Sequence, residues 1–389
     1  MSSINQASSA PVSLLDVNRG NRDSREEILA ALTAVVDSGR FLHGPEVASL
    51  EADIAALCAV PHAIGCASGS DALLLALMAL DLTANDEVIV PSFTFFATAS
   101  CAARLNCKIV FVDIDPLTYN MCPAALAAAI TPRTRAVIPV HLFGQCAAMD
   151  EICRLADHHD IPVIEDAAQA IGAAYHGRPA CNWGSIGCLS FYPTKNLGGF
   201  GDGGMLTARN DQLADRLRLL ATHGMRPRYY HQAIGINSRL DTLQAAVLGV
   251  KLRRLGDYTR ARQANAQRYA SMFRSSSLLE AFDLPYHDPA ANHVWNQYGI
   301  RVHNGQRDAL KSYLQKNGVG CEVYYPVPLH EQQCFQHCGY APGSLPETER
   351  AAREILHLPI YPELHLDEQS RVVETVVRFY KEAYQSRAA

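Results

Sequence analysis

Lys195 sits in the stretch SFYPTKNLGGFGDGG, residues 190–204, between the hydroxyl residues Ser190 and Thr194 and a run of glycines. A phosphate loop of the G-x-x-x-x-G-K-[ST] type needs its glycines ahead of the lysine. Here they follow it, and that assignment fails. The chain has six lysines against 28 arginines, so few lysines compete for a reactive role. A lysine that forms a Schiff base with a carbonyl needs a depressed pKa, a rigid mount and close-fitting backbone. Small residues on both sides of Lys195 suit that need. Taken alone, it could equally be a solvated lysine beside a flexible hairpin.

Asp166, at the end of PVIED, is the second candidate. A carboxylate beside the ring nitrogen of pyridoxal phosphate (PLP) keeps that nitrogen protonated, which makes the ring an electron sink. Gln169 follows three residues on, close enough to share one side of a turn. Asp166 could also simply cap a following helix. In ASGSDALLLAL, Gly69 and Ser70 precede a helix whose free N–H groups suit a phosphate, and Ser190 could add a hydroxyl; an ordinary N-cap is the simpler alternative. Phe95 and Phe96 in PSFTFFATA offer a face to a flat ring or fill a core.

The elements that must carry these residues follow from periodicity. SREEILAALTAVVDSG reads as an amphipathic helix with Ser24 as N-cap, Glu27 completing a capping box and Gly39 at its end. Beyond it, the short apolar runs DEVIVP, KIVFVDID, RAVIPVH and IPVIED alternate with helical segments. This predicts an α/β fold with a mostly parallel sheet covered on both faces, and ligands at the carboxyl ends of its strands. Residues 210–275 read as helical. HVWNQYGIRV and VGCEVYYPVP read as strands, with a closing helix over 367–385, in a smaller C-terminal α+β unit. A polar tail runs to about residue 20.

With 389 residues, 48% hydrophobic and 19% charged, the chain has the composition of a globular enzyme. A net charge of -5 without long basic blocks makes nucleic acid an unexpected partner. The first residues lack an apolar signal core, and the longest apolar run, ALLLALMAL, is too short for a bilayer. Twelve cysteines without a secretion signal are expected as reduced thiols, and the protein as cytoplasmic and off the membrane. His330, Cys334, His337 and Cys338 in HEQQCFQHC match no common zinc spacing, so no metal is expected.

Together the motifs SGSDAL, DEVIVPSFTFFAT, FVDIDPLTYN, PVHLFGQ, IEDAAQAIGA, SFYPTKNLGGFGDGG, IGINSRLDTLQAAVL, YYPVPLH and LPIYPEL resemble the DegT/StrS family of PLP-dependent sugar aminotransferases, from about residue 12 to 380. The resemblance implies the fold type I PLP-dependent transferase architecture: a tail over 1–20, a large PLP-binding domain over 21–255 and a small domain over 256–389. It makes Lys195 the Schiff-base lysine and proton carrier and Asp166 the ring-nitrogen partner, with Gln169 near the ring hydroxyl. Gly69, Ser70 and Ser190 become phosphate contacts and Phe95 the stacking ring. Asn237 would reach the phosphate of the other subunit of a homodimer. Arg239 would bind the glutamate carboxylate, and His330 and Tyr325 would face substrate. Ser70 replaces the family's usual threonine, and YYP (Tyr324–Pro326) its usual HYP. Related dehydratases carry histidine at the lysine position, so Lys195 favours transamination. The implied reaction moves an amino group from L-glutamate, leaving 2-oxoglutarate, to a nucleotide-linked keto-sugar, for lipopolysaccharide, other surface glycan or secondary-metabolite amino sugars. SGSDAL, with Asp71, resembles the 3-keto subgroup more than the 4-keto one. The alternatives are an amino-cyclitol ketone as acceptor, or a non-catalytic regulator on the same fold.

Overall fold

The computed structural model describes residues 10–276 and 280–388. Its main sheet grows from the apolar runs. Strands Lys108–Val112 and Thr134–Val137 flank Glu87–Pro91, all parallel. Ile164–Asp166 runs parallel to Ile186–Ser190. Gly204–Ala208 then pairs antiparallel with both Ile186–Ser190 and His62–Cys66. Parallel bridges at Val137–Val163 and Val140–Asp166 join the two groups into one layer. The mostly parallel order is as expected, and Gly204–Ala208 is its antiparallel exception.

Successive strand residues face opposite sides, and this sheet buries both. Val88 and Val90 pack into one core with Leu73, Leu75 and Leu217. Ile89, between them, enters the other with Leu50, Ile54 and Leu248. Helices therefore cover both faces, and polar side chains gather at the strand ends.

Beyond helix Leu255–Arg274 the chain forms an antiparallel sheet of Phe282–Asp283, Tyr298–Val302 and Ile355–Leu358, packed by helices Arg307–Lys316 and Leu366–Ala388. Its core, with Tyr269, Ile300, Leu310 and Val372, also takes in Phe93, Leu142 and Phe143 from the ends of the main sheet. This contact sets one wall of the site.

Three local expectations change. Helix Arg25–Ser38 ends at Gly39 with φ 65, but no capping box forms. A 3-10 turn, Arg22–Ser24, runs straight into the helix, so Ser24 has helical rather than extended backbone and its buried hydroxyl finds no partner among the described residues. Glu27 instead pairs with Arg253 at 2.9 Å and Arg254 at 2.6 Å. The segment VGCEVYYP is no strand; it makes only isolated bridges, Val319 with Val12 and Glu322 with His357. The polar tail is shorter than expected. Residues 1–9 of it lie outside the described residues, but Val12 is buried, its N–H donating to Gly318 at 2.9 Å and its carbonyl accepting from Gly320 at 2.8 Å.

Candidate active site

A cavity of about 610 Å³ opens at the carboxyl ends of the main sheet's parallel strands, where it meets the C-terminal unit. Gly69, Ser70, Phe95, Asp166, Gln169, Ser190, Lys195 and Tyr325 all line it. Residues up to 256 positions apart in the chain (69 to 325) thus converge because strand ends and the following turns share one edge.

Asp166 ends its strand with two backbone bonds to the segment 139–141, its N–H donating to Pro139 and its carbonyl accepting from His141 N–H, each 2.9 Å. Its carboxylate accepts from Thr98 Oγ1 at 2.8 Å and from the N–H of Ala168 at 3.2 Å. Thr94 lies 3.1 Å from Thr98 and supplies the next hydroxyl in that chain. No helix starts after Asp166, so its role is not that of a helix cap. Burial raises the Asp166 pKa, against the pull of Thr98, Ala168, Lys195 and His141.

Glu165 faces the opposite way, as strand alternation requires. It accepts from the N–H groups of Cys181, Trp183 and Gly184 and lies 2.9 Å from His141 Nε2. His141 Nδ1 accepts from Ala147 N–H at 3.2 Å, which puts the ring proton on Nε2, toward Glu165. This buried pair pins the strand end beneath Asp166.

Gln169 spans two walls. Its Oε1 accepts from Phe143 N–H at 2.7 Å, and its Nε2 donates to Tyr325 Oη at 3.3 Å. Phe143 has φ 59, a left-handed conformation that a bulky residue holds only with outside support. Phe95 leaves 57% of its surface open, whereas Phe96 packs in a tilted pair against Phe335, centroids 5.5 Å apart. Phe95 is thus the ring with a free face.

Helix Gly69–Ala79 aims its first turn at the cavity. Ser68 is its N-cap, accepting from Asp71 N–H at 3.1 Å. A Cβ on Gly69 would stand 2.7 Å from Ser190 Cβ. The glycine is therefore what lets the helix start and the strand end close into one cradle, with free N–H groups and two serine hydroxyls.

Lys195 follows a tight turn, its N–H donating to Tyr192 at 2.8 Å. Burial lowers its pKa from 10.5 to about 8, partly offset by the Asp166 carboxylate. At pH 7 roughly one such amine in ten is neutral. From end to end the cavity offers an anion cradle, an open aromatic face, a buried carboxylate and a partly neutral amine.

Three expected residues lie elsewhere in the chain. Asn237 is exposed, accepting from Arg239 Nη2 at 2.7 Å, and neither lines this cavity. His330, expected on the substrate side, is buried and does not line this cavity. Its side chain is fully enclosed, with Nδ1 2.7 Å from Ser92 Oγ and Nε2 3.5 Å from Glu349. Ser92 Oγ also accepts from His330 N–H at 3.1 Å. Of the cysteine and histidine cluster, Cys338 lies 3.8 Å from His337, but Cys334 is exposed. The ligand-type atoms that gather within 4.8 Å are those of His330, Glu331 and Glu349 instead.

Thr98, Ser68, Asp202 and Gln297 escaped the reading of the sequence, though Ser68, Asp202 and Gln297 line the cavity and Thr98 grips Asp166. Asp202 stood inside the glycine stretch. Gln297 carries a buried Oε1 without a partner among the described residues. Nothing in local spacing distinguishes Thr98 from any helix-start threonine.

The DegT/DnrJ/EryC1/StrS aminotransferase family model matches residues 22–377. The chain belongs to this family. It is 46% identical, over 95% of its length and 99% of the other's, to a protein of Geobacillus stearothermophilus named a pleiotropic regulatory protein. It is 42% identical, over 94% of its length and 97% of the other's, to the UDP-N-acetyl-3-dehydro-α-D-glucosamine 3-aminotransferase of Acidithiobacillus ferrooxidans. Among solved structures, S. venezuelae DesV, in complex with a ketimine intermediate, superposes with a TM-score of 0.91 at 41% identity, covering 95% of this chain and 98% of that one. As a family aminotransferase with the fold type I architecture, the chain keeps lysine and aspartate in one cavity.

Proposed function

We propose that the cavity holds PLP and that the chain transfers an amino group from L-glutamate to a nucleotide-linked 3-keto sugar, releasing 2-oxoglutarate. The observation that carries this is Lys195 and Asp166 lining one cavity with the Gly69–Ser190 cradle. When bound, the cofactor supplies an electron sink for the pair left by breaking a Cα–H bond. Asp166 would hold the ring nitrogen protonated, and Thr98 and Ala168 N–H keep the carboxylate aimed. Gly69, Ser70 and Ser190 would take the phosphate at the helix start. Phe95 would stack on the ring, and Gln169 with Tyr325 would face its hydroxyl side. Lys195 would anchor the aldehyde carbon, then act as base and acid toward the donor's Cα, a task its lowered pKa suits.

Asn237, exposed on its own chain, and the half-buried Arg239 beside it would serve a partner's cavity in a homodimer, at the phosphate and the donor carboxylate. The 3-keto preference draws on SGSDAL and on the relative whose name specifies a 3-dehydro sugar. Twelve free thiols suit a reducing cytoplasm, and no described helix is long and apolar enough to cross a membrane. The regulator alternative leaves the buried lysine and carboxylate without a purpose, although one relative bears a regulatory name.

Purified protein supplied with PLP should show a visible absorption band that L-glutamate removes. Lys195→Ala should abolish the glutamate half-reaction. A panel of 3-keto and 4-keto nucleotide sugars, read by mass spectrometry, should give amination at C3. Absence of any bound-cofactor band would defeat the proposal, and amination only at C4 would overturn the positional part.

A further inference from the structure

The glycine run after Lys195 packs against helix Thr242–Leu252, which presents two polar side chains seven residues apart on one face. Lys251 is 7% exposed, and its Nζ donates to the Gly198 carbonyl at 2.6 Å. It also lies 5.9 Å from the Phe200 ring. Gln244 accepts from Phe200 N–H at 2.8 Å. Only glycine fits at 198, since a Cβ there would stand 2.3 Å from the Pro193 carbonyl oxygen. The arc is closed at its base by Gly199 N–H donating to Phe191, 2.8 Å. Lys195 stands inside that closed arc, three residues before Gly198.

A cation buried in this way is costly unless what it bonds matters. The Glu363 carboxylate acts on Lys251 through space, yet the ammonium donates its hydrogen bond to a backbone carbonyl. Apolar packing alone would favour leucine or methionine at this place. A small second cavity lies here as well, lined by Lys195, Asn196, Lys251, Arg262 and Glu363. The residues next to Lys195 are held separately, Asn196 by Val294 and Asn296 and Leu197 by the core, and Lys251 and Gln244 supply the restraint at the glycines that follow.

We infer that Lys251, with Gln244, is a positioning residue that fixes the backbone arc carrying Lys195 and so the place of its amine in the cavity. This rests on the reactive role proposed for Lys195.

The experiment compares Lys251→Met with Lys251→Arg in the full chain, with and without PLP. Hydrogen exchange read by mass spectrometry should speed up at least tenfold over residues 191–204 in the methionine variant, with other segments unchanged. Its single-turnover rate with saturating L-glutamate should fall at least tenfold, with the apparent glutamate affinity within twofold. Arginine should restore the rate to within threefold. Unchanged exchange in the loop overturns the clamp. Faster exchange with an unchanged rate, or a loss lying wholly in glutamate affinity, overturns its bearing on Lys195. If the methionine variant does not fold, Gln244→Leu takes the same readings. Should the parent itself fail to react with glutamate, the proposed function fails, and the exchange reading still decides the clamp.

Discussion

A pH series on Lys195 tests the electrostatics of the site most directly. Burial lowers this amine from 10.5 to about 8. At pH 7 that leaves about one molecule in ten neutral, against about one in 3,000 for an exposed lysine, a gain of roughly 300-fold in reactive amine. Only the neutral amine attacks an aldehyde. The rate of PLP capture by cofactor-free protein, followed by stopped-flow absorbance, should climb about tenfold per pH unit up to pH 8 and then flatten. A parallel series with a blocked free lysine divides out the aldehyde's own titration. Asp166→Asn then gives the sign. The carboxylate stabilises the ammonium and partly offsets burial, so its removal lowers the pKa further and moves the break to more acidic pH. A parent rate that rises unbroken through pH 9.5, or a break that moves upward in the asparagine variant, would refute the reasoning.

Gly69→Ala forces a methyl group to 2.7 Å from Ser190 Cβ; overpacking of about 1–3 kcal/mol at the cradle should weaken PLP at least tenfold in equilibrium titration, while the fold melts cooperatively. Thr98→Val removes a hydrogen bond to a charged group, worth about 1.5–3 kcal/mol, and should weaken cofactor binding by roughly tenfold or more; a change under twofold would show that Asp166 does not depend on it. His330→Ala removes the side-chain partner of the buried Ser92 hydroxyl and leaves a cavity, and should cost about 2 kcal/mol or more in urea unfolding, with the acceptor's KM within twofold. The opposite pattern, altered KM with unaltered stability, would place that histidine against substrate.

Much of the fold was legible because its signals are local. Buried β-branched runs such as EVIVP need two covered faces whatever surrounds them, and their alternation with helices leaves few arrangements besides a mostly parallel sheet. The order of the glycines relative to Lys195 excluded a phosphate loop before any coordinates. The motif series identified the family, which the matched residues 22–377 bear out. Local rules failed where a neighbour altered the backbone. Ser24 has the residue type of a cap, but the preceding 3-10 turn gives it helical φ and ψ. Val12 belongs to a polar stretch, yet docks as a strand-like segment on residues 318–320.

Sequence alone, then, determined the sheet class and the family, and singled out Lys195 and Asp166 as candidates, since each depends on residue type and short-range order. Tertiary structure decided what surrounds them. Thr98 reaches Asp166 across 68 positions, and Lys251 reaches Gly198 across 53. His330 is held in the interior by Ser92, 238 positions away. Such contacts depend on how elements pack, and packing is a property of distances through space that no local spacing encodes.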